Sequence, residues 1–224
     1  MNRSVAMIHT VASLVPTFNA LAEEILPDVR VFHMADESLL TITRQEGYIT
    51  AQTRRRLFLL AESARDAGVA AILVTCSSIG PAVEAARPFF DIALLRVDER
   101  MADEAIRLGI RIGVLATLES TLEPTRELIE RRAAARQTGT IVMPFLCDGA
   151  FDAASCGDVQ RHDALVRQGI AHLTSSADVI VLAQASMARA VSGDGTVGAT
   201  PVLSSPRLAV EHLALTLAAA ETTS

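Results

Sequence analysis

The 224-residue chain carries a formal net charge of −6, and half of its residues are apolar. That length suits one large domain or two smaller lobes with a substantial buried core, and a charged fraction of 21% excludes wholesale disorder. All 20 basic residues are arginine, so Schiff-base chemistry, a pyridoxal-phosphate lysine and a P-loop lysine are excluded together. Arg54-Arg55-Arg56 is the one basic cluster and reads as the solvated face of a helix. Mild acidity then argues against nucleic acid or a membrane surface as partner. With no Trp and a single Tyr, Tyr48, an aromatic platform for stacking bases is also unsupported.

Cys76, Cys147 and Cys156 form an odd set without C-x-x-C spacing, which fits reduced thiols better than a disulfide framework or a structural zinc site. The expected location is therefore the cytoplasm. The first 22 residues superficially resemble a signal peptide, but His9, Thr10, Ser13 and Pro16 interrupt the apolar stretch. A buried strand followed by a helix is the expected reading. No apolar run approaches the ~18 residues of a membrane span, so a soluble protein is expected.

Short apolar runs alternate with segments of helical period, the signature of parallel α/β units. Ser4–His9 reads as a strand, Thr17–Leu26 as a helix and Val29–Met34 as a second strand. Thr50–Gly68 reads as a long amphipathic helix closed by its glycine. Ala71–Thr75 is predicted as a fully buried strand, followed by a short helix from about Pro81. Ala93–Val97 is the next strand, and Asp98 is expected to cap a helix running to Leu108. The pattern then restarts, with Arg111–Ala116 as strand, Leu122–Ala135 as helix and Thr140–Pro144 as strand. Asp158–Thr174 reads as helix, Asp178–Leu182 as buried strand, Ser192–Ala199 as a surface loop, and Pro206–Ala220 as a final helix.

The restart carries a weak internal repeat. Val5–Thr10 matches Ile112–Thr117 at an offset of 107 residues (Thr10 to Thr117), and Ile72–Ser78 matches Ile180–Ser186 at 108 (Cys76 to Gln184). Two strands repeating at nearly one offset predict duplicated lobes, in which Cys76 and Gln184 are equivalents flanking one cleft.

Ligands of open parallel sheets bind at the carboxyl ends of the strands. The polar clusters all follow such strands: His9-Thr10, Thr75-Cys76-Ser77-Ser78, Thr117 with Ser120-Thr121, and Gln184 with Ser186. Strand-to-helix turns expose unpaired N–H groups, and neighbouring hydroxyls complete a cradle for a carboxylate. Ser77, Ser78, Ser120 and Thr121 read equally well as plain helix caps. Cys76 stands directly after a buried strand and before a helix start, a setting expected to lower its thiol pKa. It is the candidate proton-transfer residue or nucleophile. Cys147 and Cys156 fall in an expected loop region. His9 is a candidate acid or base at the end of the first strand, and His33, near Asp36-Glu37, is a weaker one. His162, His172 and His212 read as packing or surface residues, and the five histidines are not expected to make a metal site.

Val74-Thr75-Cys76-Ser77-Ser78 resembles the first cysteine motif of the aspartate/glutamate racemase superfamily, whose members include hydantoin racemases, maleate isomerases and arylmalonate decarboxylases. Gly113-Val114-Leu115-Ala116-Thr117 resembles the strand that opens its second lobe, and Thr200-Pro201-Val202 before a C-terminal helix also fits. The resemblance implies an α/β fold of two pseudo-symmetric lobes, each a parallel sheet flanked by helices: residues 1–97 with 206–224, and residues 98–205. It implies cofactor-free proton transfer at the carbon next to a carboxylate or acyl group of a small acid, and association into a homo-oligomer. Cys76 takes the catalytic role, while His9, Thr10, Thr75, Ser77, Ser78, Thr117, Gln184 and Ser186 hold the substrate. The second position, a cysteine in the family, is Gln184 here, and an amide cannot exchange a proton at accessible pH. Racemisation by Cys76 with another partner, a single-cysteine decarboxylase or lyase, and a non-catalytic two-lobed binder of small acids all remain open.

Overall fold

The computed structural model describes residues 4–191 and 196–222. The chain folds as two compact units, one running to Val97 and resuming at Pro206, the other spanning Asp98–Ser205.

In the first unit β1 (Ser4–His9), β2 (Arg30–Ala35), β3 (Ala71–Val74) and β4 (Ala93–Arg96) form a parallel sheet of order β2-β1-β3-β4. The central strands β1 and β3 are buried on both faces, which is why they read as unbroken apolar runs. α1 (Val15–Ile25) connects β1 to β2, and α2 (Ser38–Glu46) and α3 (Ala51–Asp66) lead to β3. α3 begins where the Thr50 hydroxyl accepts from the Thr53 N–H at 3.1 Å. It buries Thr53, Leu57, Ala61 and Ala64 at a spacing of about one turn. Gly68, at φ +79°, lets the chain leave the helix. After β3 a tight 3₁₀ turn, Ser77–Ile79, leads into α4 (Gly80–Ala86). The core of this unit gathers Ala6, Ile8, Leu57, Ile72, Val74 and Ile79.

The second unit begins with α5 (Glu99–Leu108) and repeats the plan with β5 (Arg111–Ala116), α6 (Glu119–Arg136), β6 (Ile141–Leu146), α7 (Ala150–Ser155), α8 (Val159–Thr174) and β7 (Val179–Leu182). β9 (Thr200–Ser204) completes a parallel set of order β6-β5-β7-β9, and the two-residue β8 (Thr196–Val197) pairs antiparallel with β9. α9 (Ser205–Thr222) follows. Pro144 sits in β6, whose sheet pairing is to β5 alone, an edge place where a missing N–H is tolerated. Asp178 holds the entry of β5, accepting from the Ile110 and Arg111 N–H groups and from the Arg111 guanidinium.

The repeat seen in the sequence is exact in the strand pairings. Val5 stands opposite Ala71 as Ile112 stands opposite Val179, and His9 opposite Ala35 as Ala116 opposite Leu146. Several details differ from the expected elements. α2 was not anticipated, because its SLLTITRQE sequence is short and carries β-branched residues; burial of Leu39 and Thr43 stabilises it. α7 occupies part of the expected loop around Cys147 and Cys156. Of the expected surface loop Ser192–Ala199, residues 192–195 lie outside the described residues, and Thr196–Val197 are strand instead. Asp98 stands at the N-cap of α5, yet its side chain makes no capping hydrogen bond. Among the described residues no helix is long and apolar enough to cross a membrane.

Gly169, inside α8, lies close against the sheet. A Cβ there would meet Cys147 Sγ and Leu115 Cδ1, each at 2.7 Å, in a core where Leu115, Cys147, Val166 and Ile170 are all buried. Gly169→Ala sets a helix-propensity gain of about 1 kcal/mol against an overpacking cost of about 1–3 kcal/mol. The buried neighbours have nowhere to go, so the cost is expected to win. Urea denaturation should show a lower midpoint with an unchanged slope.

Candidate active site

The last rung of the first sheet is the Thr75 N–H donating to the Ile8 carbonyl at 2.9 Å. Beyond it, Cys76 opens the Ser77–Ile79 turn in an extended conformation, φ −129° and ψ 116°. The residue as a whole is partly buried, while its sulfur lies inside the protein. Burial pushes the thiol pKa up, while the Thr10 hydroxyl, the Ile79 and Ser78 N–H groups and the Ser78 hydroxyl pull it down. Burial prevails, which corrects the expectation of a lowered value. A strand-to-helix turn supplies donors, but these stand in an apolar surrounding that penalises the anion more than they stabilise it. At neutral pH Cys76 is a thiol held among donors poised for its thiolate.

Thr10 and Ser78 are brought together around this sulfur, Ser77 follows Cys76 in the chain, and all three are buried. The Thr10 hydroxyl has no regular hydrogen-bond partner among the described residues, so it stays available to the thiolate or to a ligand. Neither Ser77 nor Ser78 caps a helix through its side chain, since the cap position belongs to Cys76.

His9 and Thr75 are placed otherwise than expected. His9 is wholly buried, and both ring nitrogens are engaged within the protein. The single Thr75 hydroxyl proton goes to the Ile8 carbonyl at 3.2 Å, so His9 Nδ1–H donates to Thr75 Oγ1 at 2.9 Å. His9 Nε2 then accepts from His33 Nδ1–H at 3.0 Å. Phe18 packs its ring edge-on against His9. The Thr75–His9–His33 chain thus links the ends of β1, β2 and β3, and it ends at His33 Nε2, which is buried without a partner among the described residues. Asp36 continues the pairing, donating its N–H to the His9 carbonyl and accepting from Ser38 and Arg56 through its carboxylate.

The second unit repeats the arrangement with different chemistry. The Ala183 N–H donates to the Leu115 carbonyl at 2.8 Å, and Gln184 opens a 3₁₀ turn, Ala185–Ala190, at φ −122° and ψ 135°. Its side chain is locked onto Thr117. Gln184 Oε1 accepts from the Thr117 N–H at 2.6 Å and from its hydroxyl at 3.0 Å, while Nε2 donates to Thr117 Oγ1 at 2.8 Å. The amide has a second hydrogen beyond the one given to Thr117. Ser186 is partly buried in the turn that follows. Ser120 Oγ is buried without a partner among the described residues.

Sequence reasoning missed the pairing of His9 with His33, which lie 24 residues apart on neighbouring strands, and it also missed the bond from Asp36 to Arg56. The signal was present in the parity of β1 and β2, since residues two apart on a strand share a face. Cys147 is buried against α8, and burial with the nearby Asp148 charge pushes its thiol up to about 11, whereas Cys156 is exposed. His162 is buried and bonded to Asp163 at 2.7 Å, and His172 stacks on Phe145.

The family model for Asp/Glu/hydantoin racemase matches residues 6–213. The chain belongs to this family. Solved structures agree on the fold. A glutamate racemase from Bacillus anthracis superposes with a TM-score of 0.73 at 15% identity, covering 97% of this chain and 82% of that one. An aspartate racemase from Picrophilus torridus gives 0.71 at 13% identity, over 95% and 94% of the two chains. An allantoin racemase from Klebsiella pneumoniae gives 0.69 at 17%, over 98% and 89%. No curated protein matches the sequence. Membership of this racemase family supports racemase- or isomerase-type chemistry. This member carries glutamine at the repeat position equivalent to Cys76.

Burial and the neighbouring His33 lower the His9 pKa to about 4, and burial lowers that of His33 as well. A histidine depressed in the folded state binds fewer protons folded than unfolded, so stability is full above the unfolded value near 6.5 and is lost as pH falls towards 4. The loss is on the order of 3 kcal/mol for a shift of this size. Chemical denaturation at pH 7, 5.5 and 4 should show that slope in the wild type and a flatter one in His9→Asn.

Proposed function

We propose that the protein is a cofactor-independent isomerase-type enzyme in which Cys76 transfers a proton at the carbon next to a carboxylate or acyl group of a small acid. The observation that carries this reading is the set of donors aimed at one sulfur: two backbone N–H groups and the hydroxyls of Thr10 and Ser78. Such a set has little use around a packing cysteine. It suits a sulfur that must become a thiolate during turnover, because the donors offset part of the cost of the buried charge.

In the proton-abstraction direction the Cys76 thiolate takes the α-proton, and the electron pair left on carbon moves into the neighbouring acyl group as an enediolate. Backbone N–H groups and hydroxyls of Ser77 and Ser78 stabilise the acyl oxygens. Return of the proton from sulfur to carbon restores the thiolate.

A second reading, a single-thiol decarboxylase or lyase, is favoured by one specific feature. Gln184 has its carbonyl engaged with Thr117 and carries no exchangeable acid at accessible pH. With one proton carrier, the enzyme delivers hydrogen to a single face of the carbanion. In a decarboxylation the C–CO₂ bond breaks and its electron pair stays on carbon. The Cys76 thiol then protonates that carbon, and solvent reprotonates the thiolate. A thiol that is protonated at rest suits this direction.

Proton NMR in heavy water, run over amino acids, hydantoins, hydroxy acids and malonates, tests both readings. Cys76-dependent deuterium uptake at an α-carbon is expected, with a loss of at least 10³-fold in Cys76→Ala, in line with removal of a general acid–base. Retention of configuration with exchange, or carbon dioxide release, supports the single-thiol route; racemisation supports a second proton carrier. Undiminished turnover in a folded Cys76→Ala protein overturns the assignment. Binding without exchange or turnover in the wild type points to a non-catalytic binder.

A further inference from the structure

Arg96, the last residue of β4, heads the fully buried side chains of the described residues by volume. Its guanidinium donates to Glu84 Oε1 on α4 at 2.6 Å, and Glu84 itself is partly exposed. The rest of the guanidinium lies flat on Gly80, so close that a Cβ on that residue would overlap Cζ, Nε and Nη2. Gly80 has φ −52° and ψ −44°, ordinary right-handed helix, so its backbone conformation does not require glycine. What requires it is the arginine. Burying a guanidinium is costly, and an apolar side chain of similar volume would fill the same space without the penalty. The buried guanidinium and the glycine it lies against are thus matched to each other.

Gly80 closes the Ser77–Ile79 turn, and that turn begins at Cys76. The Ser78 and Ile79 N–H groups that act on the sulfur belong to the same four residues. We propose that Arg96 is a positioning residue for Cys76, its buried guanidinium bracing the Ser77–Gly80 turn from beneath so that the turn's donors stay aimed at the sulfur. The inference rests on the reading of Cys76 as the proton-transfer residue. Arg96 contacts the backbone of the turn and acts on the sulfur only through it.

The test reads the sulfur directly. Alkylation by iodoacetamide is followed at the Cys76 peptide by mass spectrometry from pH 6 to 11, which separates it from the exposed Cys156 and the buried Cys147. Arg96→Lys keeps the charge and loses the planar fork, Arg96→Gln loses both, and Gly80→Ala pushes the guanidinium away from the turn. The apolar cover of the sulfur comes from a cluster that includes Ile8, Leu57, Phe32 and Met34, which these substitutions leave in place. The other charged or titratable groups on elements packed around the turn are His9 on β1, Glu84 on α4, and Arg44 and Glu46 on α2, and these are also unchanged. Loss of aligned donors under constant cover is expected to raise the alkylation midpoint by about one pH unit in Arg96→Lys and Gly80→Ala, and by more in Arg96→Gln.

Folded variants with the wild-type midpoint, or a lower one, overturn the proposal, whatever their thermal stability. Should none of the three fold, wild-type hydrogen exchange decides: Ser78 and Ile79 amides protected well above the unfolded rate are expected, and unprotected amides overturn it. The two assignments fail separately. An unshifted midpoint with Cys76→Ala inactive removes the Arg96 role alone. A shifted midpoint with Cys76→Ala fully active removes the catalytic role of Cys76 and leaves the bracing intact.

Discussion

The Thr75 N–H bonded to the Ile8 carbonyl, and the Ala183 N–H bonded to the Leu115 carbonyl, are the final rungs between the central strands of the two sheets. Up to these bonds the strands pair in parallel ladders, and their side chains are mostly apolar and buried. One residue later the ladder ends, and the next N–H groups have no strand to pair with. The chain answers in both units with a tight 3₁₀ turn, and the residue that opens the turn, Cys76 or Gln184, stands where backbone donors are left over. The chemistry of the protein follows from that boundary between a closed ladder and an open turn.

The two units use the same backbone for opposite electrostatic ends. In the first, donors converge on a sulfur whose burial resists ionisation, and the balance leaves a thiol within reach of its thiolate. In the second, a neutral amide satisfies Thr117 through two acceptor contacts and one donor contact, and nothing there titrates. Threonine accompanies the key residue in both cases, Thr10 beside Cys76 and Thr117 beside Gln184. Among the described residues the hydroxyl of Thr10 has no regular partner, whereas that of Thr117 is consumed. A duplicated frame thus carries a thiol at one position and an amide at the other. Two further arrangements lie at strand ends of the first unit: the His9–His33 pair and the buried Arg96.

Much of the fold was legible because parallel strands buried on both faces write themselves as apolar runs, and the helices between them keep a 3.6-residue period. β1 and β5 were read to the residue, and the doubled offset of about 107 identified the repeat that the strand registers show. What escaped were elements whose stability is borrowed. α2 and α7 are too short to declare a period, and β9 contains Pro201, which argues against a strand until its parallel pairing with β7 is known. Their existence depends on neighbours that arrive from elsewhere in the chain.

The sequence by itself determined the architecture of alternating strands and helices, the absence of lysine chemistry, and the presence of a single thiol after a buried strand, because periodicity and residue type are local properties. It also determined that the equivalent position is an amide. Only the tertiary structure decided which polar residues are free to act. His9 and Thr75, legible as candidates, are consumed by contacts that no spacing announces, and Arg96 and Gly80, unremarkable in the sequence, meet beneath the turn that serves the sulfur. The protonation state of Cys76 was decided there too. A pKa is set by the balance of desolvation and donors in three dimensions, and the sequence lists the donors without saying how deeply the sulfur is buried among apolar side chains.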